Sequence, residues 1–189
     1  KWYQSKQFLT CSFYTIDTPY QKEIKNLEES LKLYNMEYYF KDYKSRRSWS
    51  DNTKIKPEFI LEVLVGNPNK NVLYVDSDAI IKKYPILFEE IKEDMAIATG
   101  PWGGIIAGTI FFKNNANSVN LIKLWIQEQR VQTTAIHDQS VLQKVLLKNT
   151  QIVTIFNLPL SYARIFDREG WGDPVIEHFQ ASRRFKKMV

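Results

Sequence analysis

Two carboxylates set two residues apart, Asp76 and Asp78 in Asp76-Ser77-Asp78, are the side chains of this sequence best suited to chemistry. They follow the apolar run Val72 to Val75, which reads as a buried strand, and precede the apolar pair Ile80-Ile81. Unpaired carboxylates do not persist inside a packed core. Their natural place is the carboxyl end of the strand, where open α/β sheets put their ligands. On extended backbone Asp76 and Asp78 point the same way, with Ser77 opposed. Two hard oxygen ligands on one side make half a site for Mg²⁺ or Mn²⁺. A D-x-D triplet is common by chance, and its plain alternative is a solvated turn. This triplet is the only one in the chain and it caps the clearest strand.

Other residues offer complementary chemistry. His178, one of two histidines, presents an imidazole suited to a divalent transition metal, or is a hydrogen-bonded core histidine. Asp138-Gln139 precedes the periodic apolar residues Val141, Leu142, Val145 and Leu146. Asp138 is therefore a capping carboxylate or, with Gln139, part of a polar pair aimed into a cleft; the residues alone favour the cap. Arg46 and Arg47 could grip a diphosphate or form a solvated charge cluster. Ser182, Arg183 and Lys186, after His178, could neutralise phosphates or belong to a frayed end. Gly108, between Ala107 and Thr109 in an apolar run, suggests close approach of a ligand or another backbone.

The elements that must position these residues alternate between strand and helix. Gln7 to Thr15 reads as a first strand. Thr18-Pro19-Tyr20-Gln21 reads as a capping box, opening a helix through Ile24, Leu27, Leu31 and Tyr34. The tight turn Thr15 to Thr18 is of the kind that holds a nucleotide at a sheet edge. Met36 to Phe40 is a second strand, and Lys41 to Thr53, with Trp49, is a long polar connection. Lys56-Pro57 opens a helix ended by Gly66. Beyond the D-x-D we expect a short helix at Tyr84 to Ile91, strands at Met95 to Ala98 and Ile105 to Phe112, and a helix at Asn117 to Gln129. A strand at Ile152 to Phe156, loops at Leu158 to Tyr162 and Ile165 to Asp173, and a last strand at Val175 to Phe179 complete the reading.

A chain of 189 residues with 44% hydrophobic and 25% charged residues is large enough for a real core. We read residues 1 to 189 as a single domain. The net charge of +5 suits phosphate-bearing ligands, nucleic acid or an anionic surface. No run approaches the ~20 apolar residues of a membrane span, and no signal-peptide pattern is visible. The lone Cys11 excludes an internal disulfide and fits a reducing, cytoplasmic setting. The chain begins at Lys1 rather than Met, which leaves room for further domains in a longer protein.

In their order along the chain these pieces resemble a GT-A glycosyltransferase. They are the strand–turn–helix at Tyr14 to Tyr20, Trp49 with Lys56-Pro57, the D-x-D, Ala107-Gly108-Thr109, Asp138-Gln139 and His178. The resemblance spans nearly the whole chain. It implies an α/β, Rossmann-like fold with a mainly parallel central sheet flanked by helices, a nucleotide-binding part to about residue 80 and a sugar and acceptor part after it. It further implies that Asp76, Asp78 and His178 hold Mn²⁺ or Mg²⁺ against the donor diphosphate. Tyr14, Thr15, Tyr20, Trp49, Lys56, Asp76 and Ser77 would bind the nucleotide. Arg46, Arg47, Ser182, Arg183 and Lys186 would serve the diphosphate, and Ala107, Gly108, Thr109 and Asp138 the sugar or acceptor. Asp138 and Gln139 would be catalytic. The implied donor is a UDP-sugar, the acceptor a glycan or glycoprotein, with no nucleic acid.

The last two motifs resemble retaining enzymes of the glycogenin and galactosyltransferase kind. That implies retention by front-face attack, with covalent attack by Asp138 as the lesser option. This chain has D-Q-S where that family has D-Q-D, and H-F-Q-A-S-R-R where it has H-x-x-G-x-x-K-P-W, which argues for a related but separate family. Short domains of this type occur in large algal viruses, and for such a source the setting is the host cytoplasm. The rivals are a Mg²⁺-dependent D-x-D phosphohydrolase, which needs the motif on its first strand, and a nucleic-acid-binding module, which leaves Asp76 and Asp78 unexplained. A sugar-nucleotide binder without activity is the third.

Overall fold

Strand β1 (Phe8–Ile16) lies inside the sheet, and most of its residues are buried. It is followed by α1 (Tyr20–Leu33), whose Ile24, Leu27 and Leu31 recur at helical spacing and are buried. The computed structural model describes residues 7–46, 48–132 and 136–185, with backbone alone at 184 and 185. The capping box does not form. Pro19 is the N-cap and gives no side-chain bond. Thr18 Oγ1 instead donates to the Thr15 carbonyl at 2.7 Å, which tightens the β1–α1 turn. Asp17 takes a left-handed φ of 59° in that turn, and its N–H reaches Gln21 Oε1 at 3.3 Å.

The polar stretch after α1 is structured. β2 (Tyr38–Lys44) pairs parallel with β1 up to Ile16↔Lys44, beyond the expected end at Phe40. It is an edge strand, half-exposed along its length, so Lys41, Asp42 and Lys44 are tolerated and the apolar signal fades. Ser48 then accepts a hydrogen bond from Asp51 N and caps a short helix, α2 (Trp49–Thr53), where a loop was expected. α3 (Ile55–Gly66) leads to β3 (Asn71–Val75), and β4 (Ala79–Ile81) follows the D-x-D at once. A 3-10 turn at Ile86–Glu89 stands where a short helix was expected.

β5 (Met95–Thr99) and β6 (Ile105–Phe112) form a hairpin, and α4 (Ala116–Val131) and α5 (Asp138–Lys148) follow. The next strand, β7 (Ile155–Leu158), begins three residues later than the sequence suggested. Leu160–Tyr162 forms a 3-10 turn rather than open loop, and β8 (Arg164–Ile165) occupies the start of the next expected loop. β9 (Ile176–His178) and α6 (Ala181–Phe185) close the described chain.

The main sheet has the order β2-β1-β3-β6-β5-β7, and only β6 runs antiparallel to its neighbours. The mainly parallel α/β architecture expected from the sequence is therefore present. Val72 and Tyr74 of β3 join one core with α3, α4 and α5, while Leu73 and Val75 join a second core with α1. A strand buried on both faces reads as an unbroken apolar run, as 72 to 75 does. A small second sheet, β4-β9-β8, flanks the D-x-D. No helix among the described residues is long and apolar enough to cross a membrane.

Asp94, only 7% exposed, ties three elements together at the end of the sheet opposite the D-x-D. Its carboxylate accepts from Thr154 N at 2.8 Å, Thr154 Oγ1 at 3.0 Å and Asn115 Nδ2 at 2.6 Å, and its carbonyl accepts from Ser118 Oγ at 2.8 Å. Burial alone would raise its pKa; the hydrogen bonds from Thr154, Asn115 and Asn117 outweigh that and hold it below the usual carboxylate value. A depressed folded-state pKa adds stability above the unfolded value of about 3.9, and that stability is lost as pH falls through the folded value. Asp94→Ala is expected to cost about 2–3 kcal/mol at neutral pH by urea unfolding. The gap to wild type should close as the pH is lowered toward 3. A neutral-pH difference under about 0.5 kcal/mol would show that the clamp contributes nothing.

Candidate active site

The D-x-D is a turn rather than an extension of β3. The Ala79 N–H returns to the Asp76 carbonyl at 3.1 Å, and Asp76 N donates to the Gly108 carbonyl at 2.8 Å. Ser77 therefore lines the same cleft as its neighbours instead of facing away from them. The turn delivers the chain into β4, whose register with β9 places Ala79 opposite His178. That pairing brings a residue from the far end of the sequence beside Asp78. Asp76, Asp78 and His178 each offer a ligand atom, and these atoms lie within 4.8 Å of one another.

Each of the three uses one polar atom on the protein and leaves the other open. Asp76 Oδ1 accepts from Tyr74 Oη at 2.8 Å and meets Lys56 Nζ at 3.0 Å, while Oδ2 lies toward Gly108 and His178. Asp78 Oδ2 accepts from Ala181 N at 2.7 Å, and its Oδ1 is 4.0 Å from His178 Nδ1. His178 Nε2 is 2.8 Å from Thr109 Oγ1, leaving Nδ1 on the Asp78 side. A bond from one donor atom fixes the orientation of the other, which is how metal ligands are held in place. Two carboxylate oxygens and one imidazole nitrogen suit Mn²⁺ or Mg²⁺ with open positions for further oxygens. The donor set fits the ion.

Charge is balanced around this trio. Asp76 is partly exposed to the cleft, and loss of solvent around its carboxylate is the main cause of its raised pKa, with Lys56 opposing it and Asp78 adding to it. For Asp78 burial alone would also raise the pKa, but His178 and the Ala181 N–H more than offset it and the result is lowered. Lys56 is 6% exposed, and its ammonium donates to the Ala107 carbonyl at 3.1 Å. It also meets Asp138 Oδ2 at 2.7 Å, an ion contact outside hydrogen-bond alignment. Burial alone would lower the Lys56 pKa; Asp138 and Asp76 overcome that and raise it, so the ammonium is charged. Asp138 is thus no helix cap. It is the first residue of α5, the N-cap is His137 without a side-chain bond, and the 4%-exposed carboxylate is turned inward to Lys56.

β6 carries a bulge at this point. Its register with β5 jumps from Ile97↔Ile110 to Ala98↔Ile106, so Ala107-Gly108-Thr109 leave the β5 ladder, while Thr109 stays paired with Val75 of β3. A Cβ on Gly108 would lie 2.9 Å from His178 Cε1, 3.0 Å from its Nδ1 and 3.2 Å from Asp76 Oδ2. The close approach expected at this glycine is real, and the approaching groups are the side chains of the candidate metal ligands. Gln139 Oε1 accepts from Ala107 N at 3.1 Å, which leaves its amide donors for a ligand.

Apart from His178, which is 2% exposed and not part of its lining, these groups lie in a cleft of about 270 Å³. Tyr14, Thr15, Tyr20, Trp49, Lys56, Asp76, Ser77, Asp78, Ala107, Gly108, Asp138, Gln139 and Ser182 all line it. Trp49 Nε1 donates to Tyr20 Oη at 3.1 Å, and the Trp49 ring meets His137 edge-on at 4.7 Å between centroids. Three expected residues stand elsewhere. Thr109 is fully buried behind His178, so it supports the imidazole rather than touching a sugar. Arg46 borders a separate hollow with Lys54, Pro57 and Arg130. Arg183 is exposed and paired with Asp167 at 2.5 Å. Arg47 and Lys186 lie outside the described residues. The sequence reading missed Asn52, His137 and Gln180 in the cleft, and the part of Tyr74 in holding Asp76. A tyrosine two residues before Asp76 on the same strand face was the available signal.

A family model described as nucleotide-diphospho-sugar transferase matches residues 12–179. A solved glycosyltransferase involved in glycosylation of the major capsid of PBCV-1 is similar in fold, with a TM-score of 0.73 and 15% identity over 95% of this chain and 97% of that one. The glycosyltransferase GlyE of Streptococcus pneumoniae TIGR4 is similar with a TM-score of 0.55 and 19% identity, over 92% of this chain and 55% of that one. No curated protein sequence matches the chain.

Proposed function

Because this chain belongs to the nucleotide-diphospho-sugar transferase family, we propose that it moves a sugar from a UDP-sugar to a hydroxyl of a glycan or glycoprotein, using Mn²⁺ or Mg²⁺ held by Asp76, Asp78 and His178. One observation carries the metal reading: each of the three ligands has one donor atom fixed by the protein and the other open on a shared point. When bound, the ion supplies positive charge to the diphosphate leaving group. Residues up to about 80 then serve the nucleotide, with Tyr14, Thr15, Tyr20 and Trp49 bordering base and ribose. The later residues serve sugar and acceptor.

Around the transferred sugar the chain's own groups do the positioning. Lys56 holds the Asp138 carboxylate in place, and the Gln139 amide, fixed through Ala107 N, offers donors to sugar hydroxyls. Among the described residues lining the cleft the carboxylates are Asp76, Asp78 and Asp138, and each is already engaged. None is left as a free general base for inverting attack, which favours front-face transfer with retention.

The test is thermal. Mn²⁺ with UDP should raise the melting temperature by several degrees, as binding to the native state alone requires. EDTA should remove the rise and Asp78→Ala should abolish it. No metal-dependent shift with UDP, GDP or CDP would end this reading.

A further inference from the structure

The β5–β6 hairpin turn carries a tryptophan that the donor site does not use. Gly100 N donates to Gly104 O at 2.8 Å and Gly103 N to Gly100 O at 2.9 Å, with Gly103 at φ +80°. The Trp102 ring lies back over this closed turn. A Cβ on Gly100 would stand 2.6 Å from its Cζ2, and one on Gly104 2.7 Å from its Nε1. Only glycine at both positions lets the indole seat there. Trp171 meets the ring at 6.0 Å between centroids and is 8% exposed, whereas Trp102 remains 56% exposed. A ring that merely closed the turn would gain by being covered, as Trp125 is at 0%. Here two glycines and a second tryptophan hold a large aromatic surface in place and leave it open.

The turn sits on the same sheet edge as the cleft, outside its lining. β5 runs parallel to β1 and β3, so its carboxyl end lies on the sheet edge that carries the D-x-D. A Cβ on Gly104 would be 3.5 Å from Gln143 Oε1, one helical turn along α5 from Gln139. From Gly104 to Ala107 the strand covers about 10 Å, a distance a short oligosaccharide spans. The negative π-face of a held indole suits the C–H face of a pyranose ring, while its N–H serves a hydroxyl. We propose that Trp102 is the stacking platform of an acceptor subsite that holds a pyranose of an oligosaccharide acceptor, beside the point of sugar transfer. This inference rests on the glycosyl-transfer reading above and adds the residue that receives the acceptor and the mode of contact.

A printed array of natural oligosaccharides, probed with the protein in Mn²⁺ and UDP, tests it. Wild type should retain a subset of glycans, and Trp102→Ala should lose about tenfold of that signal. Trp102→Phe should keep most of it. Trp102→Leu, apolar but without a π-face, should lose it as Ala does, so the comparison stands even if Ala lowers stability. The Mn²⁺–UDP thermal shift should be the same in all of them. Retention at the wild-type level by Trp102→Ala or Trp102→Leu would overturn the proposal, and so would a wild type that retains no glycan while its Mn²⁺–UDP shift is intact. A missing shift in wild type would remove the donor reading, and the proposal with it.

Discussion

Lys56→Met is expected to destabilise the protein by about 3–5 kcal/mol, because it removes one partner from a buried charge cluster and strands the other. Methionine fills similar volume, so the loss would reflect charge and not a cavity. The stranded group is Asp138, 4% exposed, whose Oδ2 meets the ammonium at 2.7 Å and has no aligned hydrogen bond to fall back on. Asp76 is better supplied, since Tyr74 Oη still donates to it. Adding Asp138→Asn to Lys56→Met should recover part of the stability by removing the orphaned charge, while glycosyl transfer stays lost. Urea unfolding of the two single variants and the double variant measures the coupling. If Lys56→Met alone unfolds at the wild-type midpoint, the ammonium is not what holds the two carboxylates.

Gly108→Ala should weaken Mn²⁺ binding by about 10–100-fold, the range seen when partners around metal ligands are disturbed. The added Cβ would fall 2.9 Å from His178 Cε1 and 3.2 Å from Asp76 Oδ2, so at least one ligand must move. His178 has little room to retreat, because it is 2% exposed and its Nε2 is engaged by Thr109. Overpacking should also cost about 1–3 kcal/mol, which a melting curve separates from the metal effect. Isothermal titration with Mn²⁺ is the deciding measurement. Unchanged affinity would mean that His178 and Asp76 do not share an ion.

The parts of this site legible in the sequence are those written into local pattern. The apolar run 72 to 75 announced a buried strand with Asp76 and Asp78 at the sheet edge, but the turn they form, with Ser77 on the same side, was read as extended backbone. Gly108 inside an apolar strand announced a close approach. What stayed hidden depends on pairing between distant segments. Nothing near Lys56 reveals that its partners are Asp76 and Asp138. With that pairing unknown, Asp138 looked like an ordinary helix cap. β2 was cut short because an edge strand tolerates lysine and aspartate. The Thr18 cap failed because its hydroxyl found the Thr15 carbonyl first. Arg46 misled for another reason: a long cationic side chain expected at a phosphate site need not face that cleft, and Arg46 does not.

The antiparallel pairing of β4 with β9 has a consequence for the order in which the protein matures. The bond from Ala181 N to Asp78 joins residues 103 apart in sequence, and the register Ala79↔His178 spans almost as far. Contacts of such separation bear a large loop-closure cost and form late. A chain emerging from the ribosome can fold β1 to β3 and present both aspartates while His178 is still missing. Competence of this trio to bind an ion would therefore arrive at the end of folding. A cation held there would act as a seal on the finished molecule and not as a nucleus for it.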